Sequence, residues 1–415
     1  MSVPSGRTPL CFGRYDYAAF LTYFAYAAAS IIIPVCLVEL AHELSFDLSE
    51  GGRAAGGALH LGRTLAMVVA MLVVGFVAGR YGTRKTLGGS VLLMSLGILF
   101  CGLSPIYGML FLAVLLAGLG EGVIEGLGTP FVQKLHIHEP GRYINFAHAF
   151  WSVGILVTVV LSGWLLFIGV SWRTLTLGVA LSGIAAGCLI LWPSPRGRKY
   201  PEEDAKVDIR QVCQHARRIL SSRDFWRYYA AMFMAGGGEF CLTFWSASHI
   251  RLHFDASAWA GGLGVAIFAA AMVVGRFAAG YFVPQDQLRK LIVLSGLVGA
   301  MVTVFLPFAK ELSYFYALLF LAGLATAPFW PSIQSYAAAK LPELDSTMLL
   351  ILLSCAGVPG CGFFAYLMGV WGDLADTLVY AFFLVPAAYF LIFVLIGWTP
   401  KNPGKSYPSS ESPIK

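Results

Sequence analysis

The sequence predicts an all-α membrane protein with twelve transmembrane helices, arranged as two six-helix bundles related by a pseudo-twofold axis normal to the membrane. The chain is 58% hydrophobic and only 12% charged, whereas a soluble domain typically has about 25% charged residues. Its apolar runs reach the ~20 residues that a helix needs to cross a ~30 Å hydrocarbon core. Similar segments also recur in the two halves of the chain. The first two observations exclude an ordinary soluble fold, and the third indicates two related halves.

Hydropathy and helix-breaking residues place the spans and the domain boundaries. The predicted spans are 17–40, 57–79, 86–104, 106–132, 144–168, 172–192, 225–249, 258–283, 288–308, 313–339, 347–371 and 375–398. The longest polar segment, 193–224, follows the sixth span and is expected to be a cytoplasmic linker. The predicted domains are therefore an N-terminal bundle (1–192), this linker (193–224), a C-terminal bundle (225–400) and a cytoplasmic tail (401–415).

The basic residues predict the orientation in the membrane, because cytoplasmic loops carry an excess of Lys and Arg. With the N-terminus inside, only Arg53, Arg173, Arg251 and Lys310 fall in external loops, and most of the 28 Lys and Arg residues fall in cytoplasmic segments. We therefore expect a multi-pass protein of the cell membrane with both termini in the cytoplasm. The same bias accounts for the net charge of +6, so nucleic acid is not an expected partner.

Internal similarity relates the two halves. The segment VVGFVAGRY (73–81) recurs as VVGRFAAGY (273–281), and LAGL at 116–119 recurs at 321–324. Both pairs fall in the same order, in the second and eighth spans and in the fourth and tenth. Six-helix repeats share one topology, so their symmetry axis runs along the membrane normal. Transporters with this symmetry bind substrate near the midplane, between the halves.

The segment GFVAGRYGTRK (75–85) resembles the signature loop of the major facilitator superfamily, G-x-L-A-D-R-x-G-R-K. The matching positions, which the resemblance implies form a conformational gate loop, are Gly75, Ala78, Arg80, Gly82, Arg84 and Lys85. The acidic position of the signature is Gly79 in this chain. In the superfamily that acid helps to latch the two halves together. The resemblance therefore implies a latch that is built differently or is weaker here.

Within the superfamily, the chain is most similar to the fucose:proton symporter group of sugar permeases. The segment IEGLGTPFVQKL (124–135) resembles that group's helix 4, in which a Glu precedes Pro-Phe-Val by five residues. RYINFAHAFWSVG (142–154), GGGEF (236–240) and PFWPSIQSYAAAKLP (328–342) resemble its helices 5, 7 and 10. The group's fucose transporter carries an essential Asp on helix 1, where this chain has Ser30. The resemblance implies proton-coupled sugar transport without half of the paired-carboxylate chemistry.

Two carboxylates four residues apart, Glu121 and Glu125, stand in one of the most apolar tracts of the chain. A charge at the bilayer centre costs ~2.5–3.5 kcal/mol even on lenient scales, so such residues face a cavity or a partner. Both share a helical stripe with Thr129, and Pro130 frees a backbone carbonyl just past Glu125. A carboxylate beside a loosened turn suits a proton site. We therefore predict Glu125 as a proton-coupling residue, with a permanent ion pair to Arg or His as the alternative.

Further polar and aromatic residues within spans are predicted to bind the solute. The candidate substrate-binding residues are His148, Trp151, Asn145, Trp330, Gln334 and Glu121. Sugars are commonly held in this way, with rings stacked on aromatic side chains and hydroxyls on amides or imidazole. Glu239, after three glycines in the seventh span, is predicted to join Glu125 in proton coupling. Arg63 is expected at an outer gate or interface, and Arg276 is expected to pair with a helix terminus or an acid.

The expected function is secondary transport of a small polar, sugar-like solute by alternating access, coupled to protons. Export of amphiphilic or drug-like compounds stays open as the alternative, because 30 Phe residues could furnish an aromatic cavity. The chain contains no GxSxG, HExxH or GxxxxGK[ST] motif and no metal-spaced His/Cys group. An enzyme, a cofactor or a metal is therefore not expected. A monomer is expected as the superfamily's default.

Overall fold

The computed structural model describes residues 11–136, 140–193, 200–201, 209–283 and 285–398. Within these ranges the regular structure is entirely helical. The N-terminal half contains α1 (Arg14–Val35), α2 (Leu37–Glu43), α3 (Arg53–Tyr81), α4 (Thr83–Leu103), α5 (Tyr107–Leu135), α6 (Pro140–Phe167) and α7 (Trp172–Leu191). The linker contributes α8 (Ile209–Leu220), and the C-terminal half contains α9 (Arg223–His253), α10 (Ala258–Phe282), α11 (Leu288–Thr303), α12 (Leu312–Thr326), α13 (Phe329–Lys340), α14 (Ser346–Leu374) and α15 (Leu384–Gly397). Short 3₁₀ turns lie at Gln285–Gln287, Leu306–Phe308 and Tyr380–Phe383.

Eleven segments of the described chain have the length and hydropathy of membrane-spanning helices. One of them joins α12 with α13, and another joins the turn at Tyr380–Phe383 with α15. The seventh predicted span is not among the eleven, although α9 has 31 residues. Its side chains between Ala235 and Ile250 are almost all buried inside the protein, and a span shielded from lipid tolerates polar residues. With α9 the arrangement has twelve long helical units, which confirms the predicted fold class.

Prolines interrupt the tenth span. The helix α12 ends at Thr326, and α13 begins at Phe329 with Pro328 as its N-cap. Proline has no backbone N–H group and cannot continue the hydrogen-bond ladder of a helix. By contrast, Pro130 lies inside α5, which continues to Leu135.

Glycines of α5 allow α3 to approach closely. A Cβ atom on Gly118 would lie 2.5 Å from the carbonyl oxygen of Arg63, and one on Gly122 would lie 2.2 Å from that of Met67. No side chain fits at such distances, so these glycines form the small-residue surface that close helix packing in membranes requires. The close approach brings Arg63 of α3 beside Glu121 of α5.

The two halves are in close contact at the end of the bundle where the α2–α3 loop lies. A Cβ atom on Gly57 would lie 2.6 Å from a backbone atom of α14, and one on Gly362 would lie 2.8 Å from a backbone atom of α3. The Asp373 carboxylate on α14 also accepts hydrogen bonds from the backbone N–H groups of Arg53 (3.0 Å) and Ala54 (2.7 Å). These bonds occupy two otherwise unpaired donors at the N-terminus of α3, so this carboxylate ties the halves together.

Candidate functional site

Glu121 is the counter-charge of Arg63 in this structure. The Arg63 Nε atom donates to Glu121 Oε2 at 2.6 Å, and Nη2 donates to the other carboxylate oxygen. The Nη1 atom of Arg63 donates to the carbonyl oxygen of Ser30 at 3.0 Å. Both side chains are buried, and the two parallel bonds are the fork-like geometry that makes Arg–carboxylate pairs strong. Glu121 was predicted to bind substrate; here both of its oxygens are engaged by the protein.

Glu125 lies one helical turn further along α5 and has a different environment. Its Oε2 atom accepts one hydrogen bond, from the Tyr26 hydroxyl of α1 at 3.3 Å. Among the described side chains, no Arg, Lys or His lies within ion-pair distance of Glu125. Tyr26 belongs to a buried cluster that also contains Cys355 and Val358 of α14. Glu125 is therefore an unpaired carboxyl group near the boundary between the two halves.

His148 on α6 forms a compact polar cluster with Tyr23 on α1 and Thr129 on α5, which we call the His148 cluster. The His148 Nε2 atom lies 3.0 Å from Thr129 Oγ1 and 3.3 Å from the Tyr23 hydroxyl. A Cβ atom on Gly128 would lie 2.7 Å from that hydroxyl, so this glycine admits Tyr23 to α5. His148 is nevertheless solvent-accessible. The cluster thus presents polar groups to an open space.

Glu239 on α9 and Arg276 on α10 form a loose ion pair, which we call the Arg276 pair. The Arg276 Nη2 atom lies 3.7 Å from Glu239 Oε1, and Arg276 Nε donates to the carbonyl oxygen of Ala327 at 3.4 Å. Ala327 is the C-cap of α12. The expected partners of Arg276, a helix terminus and an acid, are therefore both found. The guanidinium carbon also lies 5.9 Å from the ring centroid of Trp151 on α6.

Close packing positions Glu239 in the bundle. A Cβ atom on Gly236 would lie 2.2 Å from the carbonyl oxygen of Gly357 on α14, and one on Gly238 would lie 2.2 Å from the Tyr389 ring on α15. The glycines that precede Glu239 therefore let α9 approach the backbone of α14 and the Tyr389 ring of α15. This explains the glycine run that marks the segment in the sequence.

Polar and aromatic side chains lie at successive helical turns between Glu125 and the contact with the C-terminal half. Thr129 lies one turn from Glu125 on α5, and Trp151 lies one turn from His148 on α6. The contact between Trp151 and Arg276 then crosses from the N-terminal half to the C-terminal half. The candidate site therefore comprises Glu125, the His148 cluster and the Arg276 pair.

Helix α13 contributes the remaining described candidates. The Gln334 side-chain amide donates to Ser354 Oγ on α14 at 3.2 Å. The Trp330 ring packs on Gly357, where an added Cβ atom would lie 2.4 Å from the ring. Both side chains are only partly buried. Asn145 lies in α6, but its side chain is outside the described part of the structure.

The gate loop connects α3 and α4. Gly82 has a φ of +85°, a conformation that a glycine adopts without strain, and this explains the glycine of the signature at that position. Arg84 donates to the carbonyl oxygen of Ile190 at 3.0 Å, at the end of α7. Gly75, Arg80 and Lys85 are exposed. In this structure Arg84 therefore holds helices of one half together.

The sequence did not indicate which charged residues pair with each other. Away from the ends of the predicted spans, the acidic and basic residues other than His are the arginines Arg63 and Arg276 and the glutamates Glu121, Glu125 and Glu239. Because a charge in a span needs a partner, two arginines can pair with two of these three carboxylates and leave one over. In the structure Arg63 pairs with Glu121 and Arg276 pairs with Glu239, and no described Arg, Lys or His pairs with Glu125. Within the described residues, no group of three or more His, Cys, Asp or Glu side chains could hold a metal ion.

Curated sequence relatives have names that refer to multidrug efflux or multidrug resistance. The Multidrug efflux pump SdrM of Staphylococcus aureus (strain N315) is 28% identical over 192 residues, which cover 45% of this chain and 40% of the pump. A Multidrug resistance protein B homolog of Mycobacterium tuberculosis (strain CDC 1551 / Oshkosh) is 29% identical over 144 residues, or 34% and 26% of the two chains. The chain therefore matches less than half the length of each relative.

Solved structures with the same fold include several transporters of polar solutes. The E. coli fucose:proton symporter FucP, solved as a variant, superposes with a TM-score of 0.64 at 16% identity, covering 92% of this chain and 98% of that one. A D-xylose-proton symporter gives a TM-score of 0.75 at 13% identity, covering 95% and 99%. The nucleoside transporter NupG gives 0.72 at 12% identity, covering 92% and 99%. At these identities the likeness shows the fold alone.

The family model described as Major Facilitator Superfamily matches residues 18–343. The match covers most of the chain and agrees with the twelve-helix fold. This protein therefore belongs to the Major Facilitator Superfamily of membrane transporters.

Proposed function

We propose that the protein is a secondary transporter that moves a small polar, sugar-like solute by alternating access, coupled to protons. One observation carries the proposal. Glu125 is a carboxyl group within a span whose described partner is a single tyrosine hydroxyl. It stands one turn from an accessible cluster of polar groups between the halves. Transporters built from two related six-helix repeats bind solute at this place.

Proton exchange at Glu125 fits this environment. A carboxylate without a cation is costly in a low-dielectric interior, and a bound proton removes that charge. Glu239 was also predicted to couple protons and remains a candidate, but Arg276 supplies a cation 3.7 Å from its carboxylate. Glu125 is therefore our first assignment for the proton site. Ser30 stands where the fucose transporter carries a second acid, and its backbone carbonyl binds Arg63 instead.

A polyhydroxy solute fits the aromatic and polar side chains of α6, α13 and α14 that we group with Glu125. Trp151 and Trp330 offer flat apolar faces, while His148, Gln334 and Ser354 offer hydrogen-bonding groups. This mixture suits a sugar ring, which has apolar faces and polar edges. The names of the fucose and D-xylose symporters with the same fold are consistent with this class, although identities of 16% or less carry only the fold.

Export of amphiphilic compounds is the second candidate function. The supporting observation is the sequence match to multidrug proteins, at 28–29% identity. An unpaired Glu125 beside aromatic rings would equally suit an organic cation, because the carboxylate could serve as its counter-charge. Uptake assays separate the two candidates.

We also propose how the protein is oriented in the membrane and what its oligomeric state is. The excess of Lys and Arg on one side places both termini in the cytoplasm of a plasma-membrane protein. The end at which Asp373 ties α14 to α3 is then extracellular. In this orientation the structure is closed to the outside. We assign it as a monomer.

Uptake into proteoliposomes tests the proposal. Radiolabelled D-glucose, D-galactose, L-fucose and D-glucosamine are supplied with and without an inward proton gradient. We expect the gradient to drive accumulation of at least one sugar. Glu125→Gln should abolish this accumulation while sugar exchange in the absence of a gradient persists. Glu311→Gln, at an exposed residue whose side chain does not cap α12, is the matched control.

Two outcomes would overturn the assignment. If Glu125→Gln accumulates sugar at the wild-type rate and still acidifies the lumen, Glu125 is not the proton site. If no sugar is taken up while lipophilic cations are transported, the exporter function replaces sugar uptake.

A further inference from the structure

The two side chains of the Arg276 pair lie close together but do not form a hydrogen bond with each other. A distance of 3.7 Å between Arg276 Nη2 and Glu239 Oε1 exceeds the range of a hydrogen bond. The only described hydrogen bond of the guanidinium is from Nε to Ala327. The Glu239 carboxylate accepts no hydrogen bond from any described side chain or backbone group. The pair therefore keeps free donors and free acceptors side by side.

These free groups face the space between the halves. The Arg276 side chain is 29% exposed and that of Glu239 is 9% exposed. Trp151 of the opposite half lies near the guanidinium, whose central carbon is 5.9 Å from the ring centroid, within the range of a cation–π contact. The donors of Arg276 and the acceptors of Glu239 thus stand next to an aromatic face, one turn from His148.

We propose that the Arg276 pair binds a vicinal diol of the transported solute. Two hydroxyl groups on adjacent ring carbons lie about one hydrogen-bond length apart. One hydroxyl accepts a hydrogen bond from an Nη group of Arg276, and its neighbour donates one to Glu239, so the diol bridges the gap. Both bonds involve a charged group and are therefore stronger than neutral ones. Trp151 packs against the apolar face of the ring.

The charges also specify what this subsite excludes. An anionic group beside Arg276 would meet the Glu239 carboxylate, and a cationic group beside Glu239 would meet the guanidinium. Like-charge contacts of this kind are a common source of selectivity. A solute without adjacent hydroxyls would leave buried polar groups unpaired, which a site of this type discriminates against strongly. The geometry favours an uncharged polyhydroxy solute at this position.

This inference rests on the proposed function, because it names the part of a sugar that the site recognises. The test uses the full-length protein purified in detergent. Tryptophan fluorescence measures binding of D-glucose, D-galactose, D-xylose and L-fucose, and the tightest of these is the parent sugar. Its monodeoxy analogues are then measured at every ring position, with wild type, Glu239→Gln, Arg276→Lys and the Glu311→Gln control.

We expect removal of a sugar hydroxyl to matter in the wild type and to matter much less when the residue that binds this hydroxyl is substituted. Two deoxy positions, adjacent on the ring, should each weaken binding to wild type by about tenfold, the loss for one charge-assisted hydrogen bond. In Glu239→Gln, removal of the hydroxyl that donates to Glu239 should cost less than about threefold, because the bond it deletes is already weakened. Arg276→Lys should show the same loss of sensitivity at the neighbouring position. The Glu311→Gln control should reproduce the wild-type pattern.

The outcomes separate this inference from the proposed function. If a sugar binds and is taken up but the sensitive positions are not adjacent, or the variants keep wild-type sensitivity, the diol subsite is wrong and sugar transport stands. If no sugar in the panel binds or is taken up, both are wrong. If melting curves show that the two variants do not fold, the wild-type measurements test the inference. Sensitive positions on adjacent ring carbons support the diol subsite, and sensitive positions that are not adjacent refute it.

Discussion

The substitutions Glu121→Gln and Glu125→Gln make the same chemical change one helical turn apart, and we expect opposite consequences for stability. Glu121 receives two hydrogen bonds from Arg63, and both side chains are buried. Its loss leaves the Arg63 charge buried without a counter-charge. Breaking one side of a buried ion pair costs about 3–5 kcal/mol. We expect Glu121→Gln to lower the free energy of unfolding by an amount in this range.

Glu125→Gln should behave differently, because this substitution leaves no described buried cation without its counter-charge. Its one described bond, from the Tyr26 hydroxyl at 3.3 Å, is long, and a glutamine oxygen can still accept it. A neutral hydrogen bond contributes only about 0.5–1.5 kcal/mol. We therefore expect Glu125→Gln to change the free energy of unfolding by less than about 1 kcal/mol, or to raise it by removing an unpaired charge.

Denaturant titration in detergent micelles measures both variants, with tryptophan fluorescence as the signal. The double substitution Arg63→Met with Glu121→Met serves as a further control. Replacing both members of a buried pair by apolar residues is often close to neutral, so this protein should recover most of the lost stability. The reasoning is refuted if Glu121→Gln unfolds like the wild type, or if Glu125→Gln is the less stable of the two.

Two further predictions concern helix packing and the contact between the halves. Gly122→Ala places a Cβ atom 2.2 Å from the carbonyl oxygen of Met67 and should destabilise the protein by about 1–3 kcal/mol or more. Gly89→Ala, whose Cβ atom meets nothing within 4 Å, should melt like the wild type in the same experiment. Asp373→Ala removes the acceptor for the backbone N–H groups of Arg53 and Ala54, a loss of about 1 kcal/mol by analogy with helix caps. It should increase proteolysis or thiol labelling from the α2–α3 side several-fold, and unchanged accessibility would contradict the assigned role.

Much of the architecture could be predicted because membrane burial acts on each segment separately. The second predicted span, 57–79, is observed as Arg53–Tyr81, and the sixth, 172–192, as Trp172–Leu191. The last span was less accurate: α15 and its preceding turn begin at Tyr380, five residues after the predicted start at 375. Residues 375–379 contain enough apolar residues to extend the predicted span. In the structure they form turns between α14 and α15, and Asp376 has a positive φ.

Sequence alone also determined which residues of the site are costly in a membrane. Hydropathy and spacing singled out Glu121, Glu125 and Glu239, and the internal repeat predicted a solute site between two related halves. It did not distinguish their environments, since all three are acids in apolar tracts. Only the tertiary structure gave Arg63 to Glu121 and Arg276 to Glu239, and left Glu125 with a tyrosine. The physical reason is that hydropathy is a local property, whereas ion pairing depends on the rotation and close approach of helices such as α3 and α5, whose paired residues are 58 positions apart.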